Sequence, residues 1–256
     1  MDIQQHKSYK ILLIGDACLD VYHYGICDRI SPEAPIPVFK EMSTQVKMGM
    51  SKNVKLNLES FGMEVDHLCN SEEIKKHRFI ETRHNQQLFR YDTGECKNVS
   101  PLADLQAKEY DAVVISDYNK GFITNKSFKL IKEKINSSTP VFVDSKKPDL
   151  TIFENCIIKI NESESFIAKT HPSQNIIITL GSRGALWKNK IYETEKVNVF
   201  DVCGAGDVFL SALVYGYLEY RDIPKSIALA NKAASISVTN TGTYVLTKEE
   251  IDDIRF

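Results

Sequence analysis

The most regular pattern along the chain is a short, unbroken apolar run that ends on polar residues. Ile11 to Ile14 runs into Gly15 and Asp16, Ala112 to Ile115 into Ser116 and Asp117, Val141 to Val143 into Asp144, and Ile176 to Ile178 into Thr179. Uninterrupted runs of this length fit strands buried on both faces, as in a parallel sheet, better than strands with one wet face. Between two of them the period changes: Phe128, Ile131 and Ile135 recur at helical spacing within Lys126 to Asn136. Strand therefore alternates with helix, and the expected class is α/β with a mostly parallel central sheet. In open sheets of this kind ligands bind beyond the carboxyl ends of the strands. That is where these acids cluster.

Two stretches follow another rhythm. Residues 36–48 and 77–92 mix apolar and charged positions, as at Val38 and Lys40 or Arg78, Ile80 and Thr82. They read as half-exposed strands outside the main sheet, or as an ordinary surface hairpin. Farther on, Phe209, Ala212, Leu213, Gly216 and Tyr217 form one buried helical stripe that starts just after Asp201-Val202-Cys203-Gly204-Ala205-Gly206-Asp207. Unpaired N–H groups of Gly204, Ala205 and Gly206 would face whatever lies above that helix mouth, where the dipole favours negative charge. Asp207 stands ready to accept a proton from an attacking hydroxyl. An Asp placed there only for its favourable interaction with the helix dipole is the competing explanation.

Composition narrows the partners. The 256 residues carry 43% hydrophobic side chains, enough for one large α/β domain over 1–256. With 32 basic against 34 acidic residues the formal charge is −2, so no basic field points to nucleic acid or an anionic membrane surface, and small molecules are the expected partners. The cysteines Cys18, Cys27, Cys69, Cys96, Cys156 and Cys203 include no Cys-Xaa-Xaa-Cys pair, and the histidines (His6, His23, His67, His77, His84, His171) show no metal-ligand spacing. A reducing cytoplasm is the expected home. Met1 to Lys10 is polar and Ile11 to Ile14 is too short for a signal or a span. Neither a Walker-type loop nor a Gly-Xaa-Gly-Xaa-Xaa-Gly fingerprint occurs.

The Gly-Ala-Gly-Asp motif resembles the C-terminal signature of the ribokinase-like (PfkB) carbohydrate kinases, and the resemblance runs nearly end to end. Within that family, Ile14 to Asp20, Tyr22 to Gly25, Arg29 to Val38, Asn85 to Asp92 and Ser116 to Gly121 are similar to the heptose 7-phosphate kinases of bacterial ADP-heptose synthesis. The resemblance implies a ribokinase-like fold with helices on both faces of the sheet. It also implies a small β lid formed by 36–48 and 77–92, which often makes a homodimer contact. The implied reaction is γ-phosphoryl transfer from ATP, with Mg2+, to a heptose 7-phosphate; a kinase for another sugar or sugar phosphate and a shortened, catalytically silent nucleotide- or sugar-binding module are the alternatives. The nucleotidyltransferase half of the bifunctional heptose enzymes has no counterpart in these residues, so a later activation step is expected on another chain.

Residue by residue, the resemblance implies that Asp207 with Gly204, Ala205 and Gly206 is catalytic. Asp16, Asp20, Gly49 and Asn53 would contact the sugar, two strand-end carboxylates being good acceptors for a polyol; turn capping explains Asp16 and Asp20 equally well. Arg90, Asp92 and Lys120 would also bind the substrate, the guanidinium and the ammonium suiting its 7-phosphate, although an exposed Lys is commonly only solvated. Asn161 and Glu164 match an Asn-Xaa-Xaa-Glu pattern that holds magnesium through water. They also match a helix capping box. Thr179, Gly181 and Gly184 would form the nucleotide loop or an ordinary turn, Asn231 would flank adenine or serve close helix packing, and Lys146 would be a further phosphate contact. The chain departs from the family at Met50, which stands for a second glycine after Gly49, and at Lys52. It is also short at 64–75, where a strand and a helix are expected to be missing, and at 164–175, where a helix is expected to be missing or reduced.

Overall fold

A computed structural model describes residues 8–94, 109–170 and 175–255. Most of the polar leader, Cys96, His6 and His171 lie outside them. Among the described residues an eight-stranded sheet runs in the order β12-β11-β10-β9-β8-β7-β1-β4. Its strands are β1 (Lys10–Gly15), β4 (Glu64–Cys69), β7 (Ala112–Asp117), β8 (Val141–Ser145), β9 (Ile157–Asn161), β10 (Asn175–Thr179), β11 (Ala185–Trp187) and β12 (Lys190–Tyr192). From β4 to β10 every pairing is parallel, and β11 and β12 close the edge antiparallel. All the apolar runs read from the sequence are strands of this sheet. The one that was overlooked, β9, is Ile-Ile-Lys-Ile-Asn: Lys159 interrupts the apolar run, yet it is only 4% exposed.

Both faces of the sheet are covered. Ile11 and Leu13 of β1 turn into a core with the helices α1 (Ser51–Ser60), α4 (Ala205–Tyr220), α5 (Ile223–Ser237) and α6 (Lys248–Ile254). Leu12 and Ile14 turn the other way, onto Phe128 and Ile131 of α2 (Asn125–Lys134) with Phe122, Leu150 and Phe153. This alternation of a wholly apolar strand between two cores is what a doubly covered parallel sheet requires. Helix α2 starts where its N-cap predicts: the Thr124 hydroxyl accepts from Ser127 N–H, and Ser127 Oγ accepts from Thr124 N–H.

The segments expected to form the lid lie in a second sheet, in the order β3-β2-β5-β6, made by β2 (Ala17–Ile30), β3 (Pro37–Met50), β5 (Ile74–Glu81) and β6 (Gln86–Thr93). Segment 77–92 is thus a hairpin and not one extended stretch. Asp20, expected in a turn after β1, lies inside the long strand β2. The pattern hid this strand because its polar side chains are buried against the site. Segment 64–75 also differs from expectation. The strand is kept, as the edge strand β4 beside β1, and only the helix is missing. The chain passes straight into β5 through a turn that Asn70 holds, its side chain accepting from Ala17 N–H at 2.7 Å and donating to the Ala17 carbonyl at 3.1 Å. In the part of 164–175 that is described, α3 (Glu162–Ser165) is a single turn.

Candidate active site

The turn before α4 is built by Asp201, whose carboxylate accepts from Cys203 N–H at 2.9 Å and from Gly242 N–H at 2.8 Å. Gly204 then takes a left-handed φ of 80° as the N-cap of α4. Gly206 lets another group come close: a Cβ there would sit 2.7 Å from Lys159 Nζ. The amides do not all stay open. Ala205 N–H turns back to the Val202 carbonyl at 3.3 Å, while Gly204 and Gly206 line the cavity above the helix.

Asp207 lies in the first turn of α4, 4% exposed, with both oxygens engaged. Tyr118 Oη donates to Oδ1 at 2.9 Å and Asn53 Nδ2 to Oδ2 at 2.8 Å. Burial pushes its carboxyl up to about 6; the Asn53 hydrogen bond opposes this, Asp144 adds to it, and Lys159 and Tyr118 hold it down. Lys159 Nζ lies 2.7 Å from Asp144 Oδ2. Burial works against the Lys159 charge, but Asp144 outweighs it, and the ammonium is held above its ordinary value. A cation, a helix N-terminus and a carboxylate that titrates near neutrality therefore meet at one point.

This point is the inner end of a cavity of about 510 Å³ lined by Asp144, Lys146, Asn161, Glu164 and Thr179 as well as Gly204, Gly206 and Asp207. A second cavity, about 440 Å³, shares Thr179, Gly181, Val202 and Gly206 with the first and continues between Val197, Val199, Phe209, Asn231, Ala234 and Val238. One end is charged and the other apolar, which suits a ligand with an anionic tail and a flat apolar head. Asn161 and Glu164 form the capping box of α3, each side chain accepting from the other's N–H at 2.8 Å. Glu164 also takes Lys146 Nζ at 3.1 Å. Capping and a role at the cavity are thus compatible. Among the described residues no three acidic, His or Cys groups converge as a metal cage, so the hard oxygens of Glu164 and Asn161 fit a hydrated cation held through its water. Asn231 lines the second cavity with its Nδ2 donating to the carbonyls of Tyr192 and Glu193 at 2.7 and 3.2 Å.

On the opposite side the lid presents one face to the site. Asp20 is 3% exposed, and its Oδ1 accepts from Arg78 Nη2 at 3.0 Å and Nε at 3.2 Å. Gly49, on β3, leaves the room that the Asp20 carboxylate fills. Lys47 and Arg78 stand over the Tyr22 ring at 5.6 and 5.8 Å, and Lys76 over the Tyr118 ring at 5.3 Å. Cross-strand register puts Arg90 opposite Arg78 and Asp92 opposite Lys76. Arg90 and Asp92 share that face but are exposed and bonded to each other at 2.8 Å. Asp16 is turned away, fully buried, accepting from the N–H groups of Tyr118, Lys120 and Phe122. The Lys120 side chain is exposed. Lys52 acts on His67, Cys69 and Glu73 beside α1, and is absent from the cavity walls. Met50 holds a φ of 55° with its side chain 3% exposed, a strained choice costing roughly 1–3 kcal/mol.

Sequence reasoning gave no role to Tyr118, Lys159, Asp144 or Arg78. The available signals were the place of Asp144 at a strand end, that of Tyr118 within the Ser116 to Gly121 string, and a charge inside an apolar strand at Lys159.

The fold and the glycine-led helix mouth over a buried carboxylate go with a match that shows a carbohydrate kinase. The chain belongs to the pfkB family of carbohydrate kinases, whose family model matches residues 57–250. It is 31% identical to the bifunctional protein HldE of Nitratiruptor sp., over 95% of this chain and 64% of that protein. It is 30% identical to that of Campylobacter jejuni, over 98% of this chain and 66% of that protein. It thus spans just under two thirds of the length of these relatives. The ribokinase of Thermotoga maritima shares the fold, with a TM-score of 0.72 at 16% identity over 96% of this chain and 99% of that one. Among the described residues no helix is long and apolar enough to cross a membrane.

Proposed function

We infer that the chain transfers the γ-phosphoryl group of ATP to a hydroxyl of D-glycero-D-manno-heptose 7-phosphate, giving the 1,7-bisphosphate. The observation that carries this is Asp207, a buried carboxylate at a helix N-terminus held by Tyr118 and Asn53 with Lys159 close beside it; burial pushes its carboxyl up to about 6. The sugar hydroxyl gives its proton to Asp207 and its oxygen forms a bond to the γ-phosphorus. The bond to the β,γ-bridging oxygen breaks, and ADP leaves with that oxygen. Gly204 and Gly206 N–H groups and Lys159 stabilise the charge that spreads over the transferring group, which is most of what phosphoryl transfer asks of a protein. Asn161 and Glu164 would hold a hydrated magnesium ion through its water, and that ion would supply charge neutralisation on the ATP phosphates. The apolar cavity beyond Thr179 receives the base.

The choice of a phosphorylated sugar rests on the cationic lid face, Lys47, Lys76 and Arg78, and on the strings similar to heptose kinases. Another sugar phosphate is the second reading, favoured by Met50 where the family has glycine. The test is ADP release with ATP and magnesium against the heptose 7-phosphate, fructose 6-phosphate, ribose and no sugar. Selective turnover of the heptose phosphate is expected. Preference for fructose 6-phosphate would replace the substrate, and preference for ribose would also remove the role of the lid cations.

The outer lid face supports a homodimer. His23, His77 and Phe79 stack there beside Phe89 and Tyr91, which are 51% and 56% exposed, and Val46 and Met48 are exposed on the same sheet. Sedimentation velocity is expected to show a dimer that Phe89→Lys dissociates; a wild-type monomer at micromolar concentration would sink the idea.

A further inference from the structure

Tyr118 connects all three parts of the site. Its N–H donates to Asp16 Oδ2 at 2.8 Å, and Asp16 also receives Lys120 N–H at 3.2 Å and Phe122 N–H at 3.4 Å, so the loop after β7 is tied to the end of β1. Its ring packs on Cys18, Met50 and Ile74. Two ammonium groups stand over that ring, Lys76 from the lid at 5.3 Å and Lys146 from the opposite cavity at 5.0 Å. At the tip of this clamped ring, the hydroxyl donates to Asp207 Oδ1.

We propose that Tyr118 is a positioning residue for phosphoryl transfer: its hydroxyl fixes the Asp207 carboxylate in one orientation and favours its ionised form, leaving a free lone pair for the sugar hydroxyl. The proposal rests on the reading of Asp207 as proton acceptor. A carboxylate oxygen offers two acceptor directions, so Tyr118 and a substrate hydroxyl can share Oδ1. With Asn53 on Oδ2, the two donors hold the carboxylate plane. A hydrogen bond to the charged form lowers a carboxyl pKa. Burial and the Asp207 charge hold the Tyr118 hydroxyl well above its ordinary value, so it remains a donor. The groups facing Asp207 from the packed elements are Asn53 of α1, Asp144 of β8, Lys159 of β9, Cys18 of β2 and Tyr118 itself. Of these, Tyr118 can lose its donor with the least change of shape, since Phe keeps the ring.

The experiment is the pH dependence of kcat for the full chain, wild type against Tyr118→Phe and against 3-fluorotyrosine placed at 118, with Tm and the KM for ATP measured in parallel. Tyr118→Phe is expected to keep its fold and its ATP KM and to move the acid limb upward by roughly half to one pH unit. Its loss of kcat then narrows as pH rises. The fluorinated ring, a stronger donor of the same shape, moves the limb downward. Acid limbs that superimpose in the two variants overturn the proposal, whatever happens to kcat at a single pH. An Asp207→Asn control separates the two ideas. If that variant turns over normally, the proton-acceptor reading itself fails; if it is inactive while the limbs do not move, only the role of Tyr118 fails.

Discussion

Asp207→Asn is expected to lower turnover by about 10²–10⁴-fold, the range for loss of a positioned general base, with the KM for ATP nearly unchanged. Asn keeps the size of the side chain, and its one oxygen still accepts from Tyr118 or Asn53, so a loss of this size comes from the proton and not from the shape. The same substitution is expected to stabilise the protein. The folded-state carboxyl titrates at about 6 against an ordinary 3.8, so the folded chain binds this proton more tightly than the unfolded chain. Ionisation therefore costs stability. The cost is absent below pH 4, grows between 4 and 6, and is complete above 6, where it amounts to about 3 kcal/mol at ~1.4 kcal/mol per pH unit. Thermal melts should show the Asn variant above wild type at pH 8 and level with it near pH 4. A variant that melts lower than wild type at pH 8 would mean that the carboxylate is not strained by its burial.

Much of this was legible in the chain, and the parts that were not share a cause. Strands β1, β7, β8 and β10 announce themselves because burial on both faces demands unbroken apolar runs. The glycine turn before α4 does so because a left-handed N-cap and the approach of Lys159 to Gly206 leave no room for side chains. What stayed hidden depends on contacts between distant segments. Asn53 and Tyr118 meet Asp207 from 154 and 89 residues away, and nothing local to either marks it as a partner of the base. Asp16 and Asp20, read alike as strand-end carboxylates, have different surroundings: one is closed around backbone amides and the other is paired with Arg78. That difference is set by β2 continuing into the lid, and the period-2 signal of β2 is blurred because its polar side chains point into the site. Lys159 disguised β9 for the same reason, as a charge where a strand core was expected.

Lys159→Met is expected to have the second largest effect, and on two quantities. Turnover should fall by roughly 10²–10³-fold, the usual loss when one donor aimed at developing charge is removed. Stability should fall as well, because Asp144 is left without its 2.7 Å partner and Asp207 loses a neighbouring positive charge. Removing one member of a buried pair costs about 3–5 kcal/mol, and the lower end applies because the Asp144 side chain is 14% exposed. The pH dependence has a definite sign. The folded-state pKa of Lys159 is raised, so its contribution is complete below the unfolded value and is lost only as pH rises through the folded one. Melting curves of wild type and variant should therefore stay apart throughout the neutral range and converge in strong alkali. The double variant Lys159→Met, Asp144→Asn distinguishes structure from chemistry. With Asp144 neutralised as well it should recover much of the melting temperature, the part that Asp207 loses remaining, while turnover stays low because no cation meets the transferring phosphoryl group. If turnover returned together with stability, Lys159 would be a structural partner of Asp144 and the helix mouth alone would carry the charge of the reaction.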